Sequence, residues 1–236
     1  MAASVDLARR PPRAAVIDRS PIDEPAGLRT ASLAQQAYDR VRALILERKL
    51  DAGRALLEVQ LADRLGISRT PTREALVRLA GEGLLVRRDA RSWAVRELST
   101  REFFDCMRAR ELVEGEAAAL AAGRCDPTTL SALAADVRRF KKGEHAEIEH
   151  WNHDDRLHQF IAESSGNVLF PGIIARLRAD ARLFRLNSPL HRQRENHDEH
   201  GAIIVALRAG DAKAARTTMR AHLRSLLGDV RRAVIG

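Results

Sequence analysis

Apolar positions recur at helical spacing from Ser32 to about Lys49, where Ala37, Val41, Leu44 and Ile45 form one stripe. A pair of shorter helical patterns follows in Leu61–Leu79, LADRLGISRTPTREALVRL, interrupted at Gly66. Ala62 is small enough to let two helices approach, and Gly66 can take the left-handed conformation that a sharp turn needs. Ile67, Leu76 and Leu79 give the second helix an apolar side, leaving Arg69, Arg73 and Arg78 to point away from it. Ser68 and Thr70 are both candidate N-caps, and Pro71 suits a first turn where no intrahelical N–H bond is required. Beyond Gly81 and Gly83 the period changes. Leu84–Arg88 and Trp93–Glu97 read as two short strands around a tip at Asp89–Ser92.

From Ser99 onward the pattern is helical, with no strand. It predicts helices over about 100–123, 127–142, 145–164, 168–186, 192–209 and 212–233. Ser99-Thr100-Arg101-Glu102 makes a capping box for the first, while Asp126-Pro127 and Asp211 mark two further starts. Short connections imply antiparallel neighbours in a bundle. The fold class expected is therefore mainly α: an N-terminal winged helix-turn-helix with a small β-hairpin wing over 31–98, then an all-α helical bundle over 99–236. Residues 1–30 hold four prolines and scattered charges without periodicity, and are expected to be a disordered tail.

Charge sharpens this picture. The 236 residues carry a net charge of +8, and between Arg64 and Arg96 eight arginines face only Glu74, Glu82 and Asp89. Phosphate attraction is long-ranged and independent of sequence, so this concentration suits a DNA face. Helix-turn-helix units place their second helix in the major groove, and Arg87, Arg88, Arg91 and Arg96 on the hairpin are available to phosphates or a minor groove. An ordinary helical hairpin on a basic protein is the alternative. Cys106 and Cys125 form no metal or redox motif, which implies a reduced, cytoplasmic compartment. No apolar run approaches the roughly 20 residues of a membrane span.

The run from Gly53 through GISRTPTREAL to Gly83-Leu84-Leu85 resembles the winged-helix domain of the GntR family of bacterial transcription regulators. The resemblance implies that Arg69, Thr70 and Arg73 contact an operator, with Ser68 assisting at the backbone; the charge of the wing adds Arg91 to the expected DNA-binding residues. Three positions depart from the family's pattern. Thr72 stands where an apolar residue is usual, Val59 where some members carry a DNA-contacting arginine, and Ser92 where the wing often has glycine.

All eight histidines lie after residue 144. Asp154 and His158 are four apart and share a helix face, while His200 and His222 sit among apolar residues of the last two predicted helices. Meeting in a bundle, these helices could present one carboxylate and three imidazoles to a common point, a set that suits zinc or another divalent first-row ion. A satisfied polar histidine on each helix is the plainer reading. His145, His150 and His153 are expected to be solvated surface residues, and His197 lies one turn before His200. Arg110 could hold a carboxylate ligand or pair internally with Glu114.

The helical part looks like the FCD-type ligand-binding domain of FadR-like GntR regulators. Arg110–Glu114 followed by EAAALAA, Asp154–His158, Ser165-Gly166-Asn167, and His200 through RAGDAKAARTTMRAHL carry that likeness. It implies a divalent metal held by Asp154, His158, His200 and His222, with zinc expected first and nickel or manganese as alternatives. It also favours Arg110 as the effector anchor. The function expected is a ligand-responsive regulator, a repressor, acting as a homodimer on an inverted-repeat operator in double-stranded DNA and answering to a small organic acid. The rivals are a metal-dependent hydrolase and a ligand-independent architectural DNA binder. No general base beyond the metal ligands is evident for the first, and the second leaves the histidine-rich bundle unexplained.

Overall fold

The computed structural model describes residues 32–143, 145–186 and 192–235; the expected disordered tail lies outside them. The chain opens with α1 (Leu33–Leu46), capped by the Ser32 side chain, which accepts from Gln35 N. A three-residue strand, β1 (Ala55–Leu57), then leads into α2 (Glu58–Leu65) and α3 (Arg69–Gly81). The wing consists of β2 (Leu85–Arg87) and β3 (Ser92–Val95). β3 is the centre of an antiparallel sheet of order β1-β3-β2, with Leu56 opposite Trp93 and Leu85 opposite Val95. β1 is absent from the sequence reading because three residues are too few to show a period of two.

The turn between α2 and α3 forms as the sequence implies. Gly66 has φ of 65°, and Ile67 N donates to Ala62 O at 3.1 Å, closing the helix C-terminus. Ser68 occupies the N-cap of α3 without a side-chain capping bond. Thr72 is buried, its hydroxyl donating to Ser68 O at 3.0 Å, so the departure from an apolar residue is accommodated by satisfying the hydroxyl locally. At the wing tip Asp89 accepts from Arg91 N, Ser92 N and Ser92 Oγ. Serine at that position adds a hydroxyl bond to the two backbone bonds that close the turn.

The bundle contains α4 (Thr100–Ala121), α5 (Pro127–Phe140), α6 (Glu147–Ser164), α7 (Phe170–Leu186), α8 (Gln193–Arg208) and α9 (Ala212–Ile235). The capping box at α4 is complete, and Asp126 accepts from Thr129 N ahead of Pro127. α4 lies centrally against α6, α7 and α9, while α8 packs on α5 and α9. No described helix is long and apolar enough to cross a membrane.

Two cores result. One joins Phe103, Met107, Leu133, Leu157, Ile161, Ile203, Leu223 and their neighbours inside the bundle. The other joins Val41, Ile45, Leu56, Leu61, Leu76, Leu79, Trp93 and their neighbours, and it is completed by Leu183 and Leu186 of α7. A partly buried ion pair between Arg96 and Asp180 reinforces the same contact. Leu76 is fully buried at the centre of the second core. Leu76→Ala should cost about 2–5 kcal/mol of stability in equilibrium denaturation, the range for a large-to-small change in a packed core.

Candidate nucleic-acid interface and metal centre

The front of α3 presents Ser68, Arg69, Thr70 and Arg73, all exposed, and Arg91 is exposed at the wing tip. Arg69 makes no ion pair with a described residue, and the nearest acid to Arg73 is Glu58 at 3.9 Å. Arg88 is likewise exposed and makes no ion pair with a described residue, whereas three other arginines of this region are engaged. Arg78 is exposed, as its spacing implies, but is held against α1: it lies 3.8 Å over the Tyr38 ring and donates to Gln35 Oε1. Arg87 donates to the carbonyls of Asp89 and Ala90, bracing the wing, and Arg96 is committed to Asp180. Val59 is partly exposed on α2 and offers no polar group.

Inside the bundle, α6 supplies Asp154 and His158, α8 supplies His200 and α9 supplies His222. All four are buried, and one donor atom from each lies within 4.8 Å of every other. Ring centroids of the three imidazoles are 4.8 to 5.5 Å apart. Asp154 Oδ1 is 3.2 Å from His200 Nε2 and 3.8 Å from His158 Nε2. His158 Nε2 and His200 Nδ1 have no hydrogen-bond partner, and the contact of His200 Nε2 with Asp154 lacks hydrogen-bond alignment. Buried polar atoms left unpaired in this way are costly.

A surrounding layer fixes the rings. Glu114 on α4 bonds His158 Nδ1, and Glu199 on α8 bonds His222 Nδ1 at 2.7 Å. Metal-ligating histidines commonly hold a carboxylate through the second ring nitrogen, which sets the tautomer and orients the first. Arg178 on α7 donates to Asp154 Oδ2 at 2.5 Å and to Asp155 Oδ1 at 2.8 Å, and Arg182 reaches Asp155 Oδ2 at 2.5 Å.

The charge states follow from these contacts. Burial pushes His158 and His222 down to about 4 and lowers His200, so their rings stay neutral near neutral pH. Burial opposes ionisation of Asp154, but the Arg178 guanidinium outweighs it and holds the carboxyl well below its usual range. Glu114 is likewise held low by Arg110 and His158 against the cost of burial. Three neutral imidazoles and one carboxylate, with unpaired nitrogens turned inward, match the donor set a divalent first-row ion takes.

Residues 33–95 match the family described as bacterial regulatory proteins, gntR family, and residues 105–225 match the FCD domain. The chain belongs to the GntR family of transcription regulators. The regulator is 33% identical over 219 residues to the putative L-lactate dehydrogenase operon regulatory protein of Escherichia coli (strain K12), spanning 81% of this chain and 83% of that one. It is 35% identical over 204 residues to an uncharacterized HTH-type transcriptional regulator from an unstable DNA locus of Streptomyces ambofaciens, with 83% and 84% covered. The solved structure described as E. coli McbR/YncC shares its fold, with a TM-score of 0.72 at 24% identity over 86% of this chain and 99% of that one.

An open cleft leads toward the four clustered residues. It is lined by Asp154, His197 and His200, together with His150, Trp151, Arg185 and Arg192. Arg110 does not line it. Arg110 Nε donates to Glu114 Oε1 at 2.6 Å, which is the internal ion pair that spacing left open. Sequence reasoning passed over Glu199, Arg178 and Arg185. Arg178, Arg182 and Arg185 recur at i, i+4 and i+7 of α7, and that polar stripe on a helix with two apolar ones was the legible signal. His153 was expected at the surface but is buried, because α6 is covered on that side by Phe140 and by α8.

Proposed function

We propose that the regulator is a metal-containing repressor whose operator affinity is set by a small organic acid bound in the bundle cleft. Its DNA reading rests on the exposed guanidiniums of Arg69 and Arg73 at the head of α3, with Ser68 and Thr70 beside them and Arg91 extended from the wing. Two such heads in a homodimer would read the halves of an inverted repeat, since protein symmetry is mirrored in the operator. Repression is in keeping with the probable D-xylose utilization operon transcriptional repressor of Paenarthrobacter nicotinovorans, 35% identical over 95 residues.

Asp154, His158, His200 and His222 would hold the ion, zinc being the first choice and nickel or manganese the alternatives. When bound, it supplies positive charge and an open position for a carboxylate. The observation that carries an anionic effector is Arg185. Its guanidinium lines the cleft, stacks on Trp151 at 4.4 Å and has no carboxylate partner among the described residues. Burial, then the neighbouring Arg110, Arg192 and Arg178, outweigh Asp154 and push Arg185 down to about 10. A carboxylate arriving from solvent would offset that repulsion. Arg110 belongs to the same basic group; with its Nε on Glu114 and set back from the cleft lining, it is proposed to favour the effector's carboxylate by its charge from behind the site. The similarity to a regulator named for an L-lactate dehydrogenase operon fits a small hydroxy acid.

The response reaches the DNA heads through α7, which carries Arg185 on one face and Leu183 and Leu186 in the winged-helix core on the next. The effector changes operator affinity only by binding the two arrangements unequally.

Selection from random duplexes with the full chain should return an inverted repeat. Arg69→Ala and Arg73→Ala should each weaken binding to it by about 1–3 kcal/mol; wild-type affinity for both in a gel-shift assay would remove them from the interface. His158→Ala and His222→Ala should each weaken zinc binding in a chelator competition, and wild-type affinity in both defeats the four-ligand assignment. In a thermal-shift screen of hydroxy acids, dicarboxylates and sugar acids, Arg185→Ala and Arg110→Ala should lose the stabilisation that wild type shows. A normal response in either variant takes that residue out of the effector site.

A further inference from the structure

A second histidine cluster adjoins the first, sharing His200 with it and adding His153 and His197, which hold no metal in the reading above. His153 on α6 and His197 and His200 on α8 are all buried, and one ring nitrogen of each lies within 4.8 Å of the others. Neither nitrogen of His153 has a hydrogen-bond partner, and His197 Nδ1 and His200 Nδ1 have none either. The long approach of Asp136 Oδ2 to His153 Nδ1, 3.9 Å, exceeds hydrogen-bond range. His197 is bonded through its other nitrogen, Nε2, to His150 Nδ1 at 2.8 Å, and its ring stacks on Phe140 at 5.2 Å. That bond orients the ring and fixes which nitrogen is left over, as the outer partners of metal-ligating histidines do. His197 and His200 both line the open cleft, as does Asp154, whereas His158 and His222 do not.

We propose that His153, His197 and His200 form a second divalent-metal site at the cleft end of the bundle, used alternately with the deeper set as an ion enters and leaves. Three neutral imidazoles with water in the remaining position are a sufficient coordination set for zinc. An all-nitrogen set favours zinc, nickel or copper over manganese and magnesium. The three ring centroids are 5.7 to 6.2 Å apart, looser than in the four-residue set, so this site is the weaker. His200 belongs to both sets. Filling both at once would require that ring to give up its last proton and would place two dications beside Arg178 and Arg185. Alternation avoids both costs, the ion passing from one ring nitrogen of His200 to the other while the ring's single proton moves to the nitrogen vacated.

The site shares His200 with the proposed metal centre, and the test separates the two. Zinc bound to the full-length protein is measured by elemental analysis and chelator competition. Wild type should hold one ion per chain. H158Q/H222Q should still hold one, about ten- to a hundredfold more weakly, and should retain nickel but not manganese. Adding H153Q and H197Q should abolish binding. A folded H158Q/H222Q protein that holds no zinc overturns the proposal, as does retained zinc that survives H153Q/H197Q. Equal affinity in wild type and H158Q/H222Q instead removes the four-ligand assignment and leaves the triad as the metal site. Should H158Q/H222Q fail to fold, H153Q/H197Q alone decides. With the deeper set intact, zinc uptake and release should both slow by the same factor at an unchanged dissociation constant, and unchanged rates overturn the proposal.

Discussion

The structure depends on one helix serving three environments at once. Along α7, Ile174, Leu177, Ala181 and Phe184 face the bundle core; Ala179, Leu183 and Leu186 face the winged-helix core; and Arg178, Arg182 and Arg185 face the polar centre between α6 and the cleft. Each stripe repeats at three- and four-residue steps, so no rotation of the helix can improve one without disturbing the others. Close packing makes such an element move as a unit rather than deform. Asp180, on the winged-helix side, holds Arg96 and also attracts Arg176 at 3.5 Å. Gly83 closes α3 at φ of 81° in a place where a side chain would strike Arg176. The two halves are thus joined by fitted surfaces as well as by the chain that passes between them.

The polar centre obeys a related constraint. Asp154 divides its two oxygens, one to Arg178 and the other toward the imidazoles, so the guanidinium that keeps the carboxyl ionised also sets its direction. Burial keeps the rings neutral and their lone pairs available. The same burial would be a liability for nitrogens without partners, which is why the proposed ion accounts for the arrangement better than packing alone.

Much of this was legible in the chain. The helix-turn-helix was written in Ala62, Gly66 and the Ile67–Leu76–Leu79 side, and α4 and α5 in their capping residues. Asp154, His158, His200 and His222 were identifiable because two share a face by spacing and two interrupt apolar stripes. What escaped notice depends on partners remote in sequence. Glu114 serves His158 across 44 positions, and Arg178 serves Asp154 across 24. His153 lies about 100° around α6 from Asp154, which suggested solvent, but Phe140 arrives from α5 to cover it. Arg78 is outward as its spacing implies, but its partners Tyr38 and Gln35 come from α1, some forty positions away. β1 is too short for alternation to register and forms because β3 offers it an edge.

The anchoring of Arg78 limits how much sequence the protein can inspect. With the far end of α3 clamped to Tyr38 and Gln35, its unencumbered cations occupy little more than the first turn, Arg69 to Arg73. A turn advances 5.4 Å and a base pair 3.4 Å, so the proposed reading head would span only about two base-pair steps by direct inspection. A word that short recurs throughout any genome. In the proposed homodimer, discrimination would then come from the distance and phase between two copies of it, quantities dictated by how rigidly the paired bundles hold their heads apart.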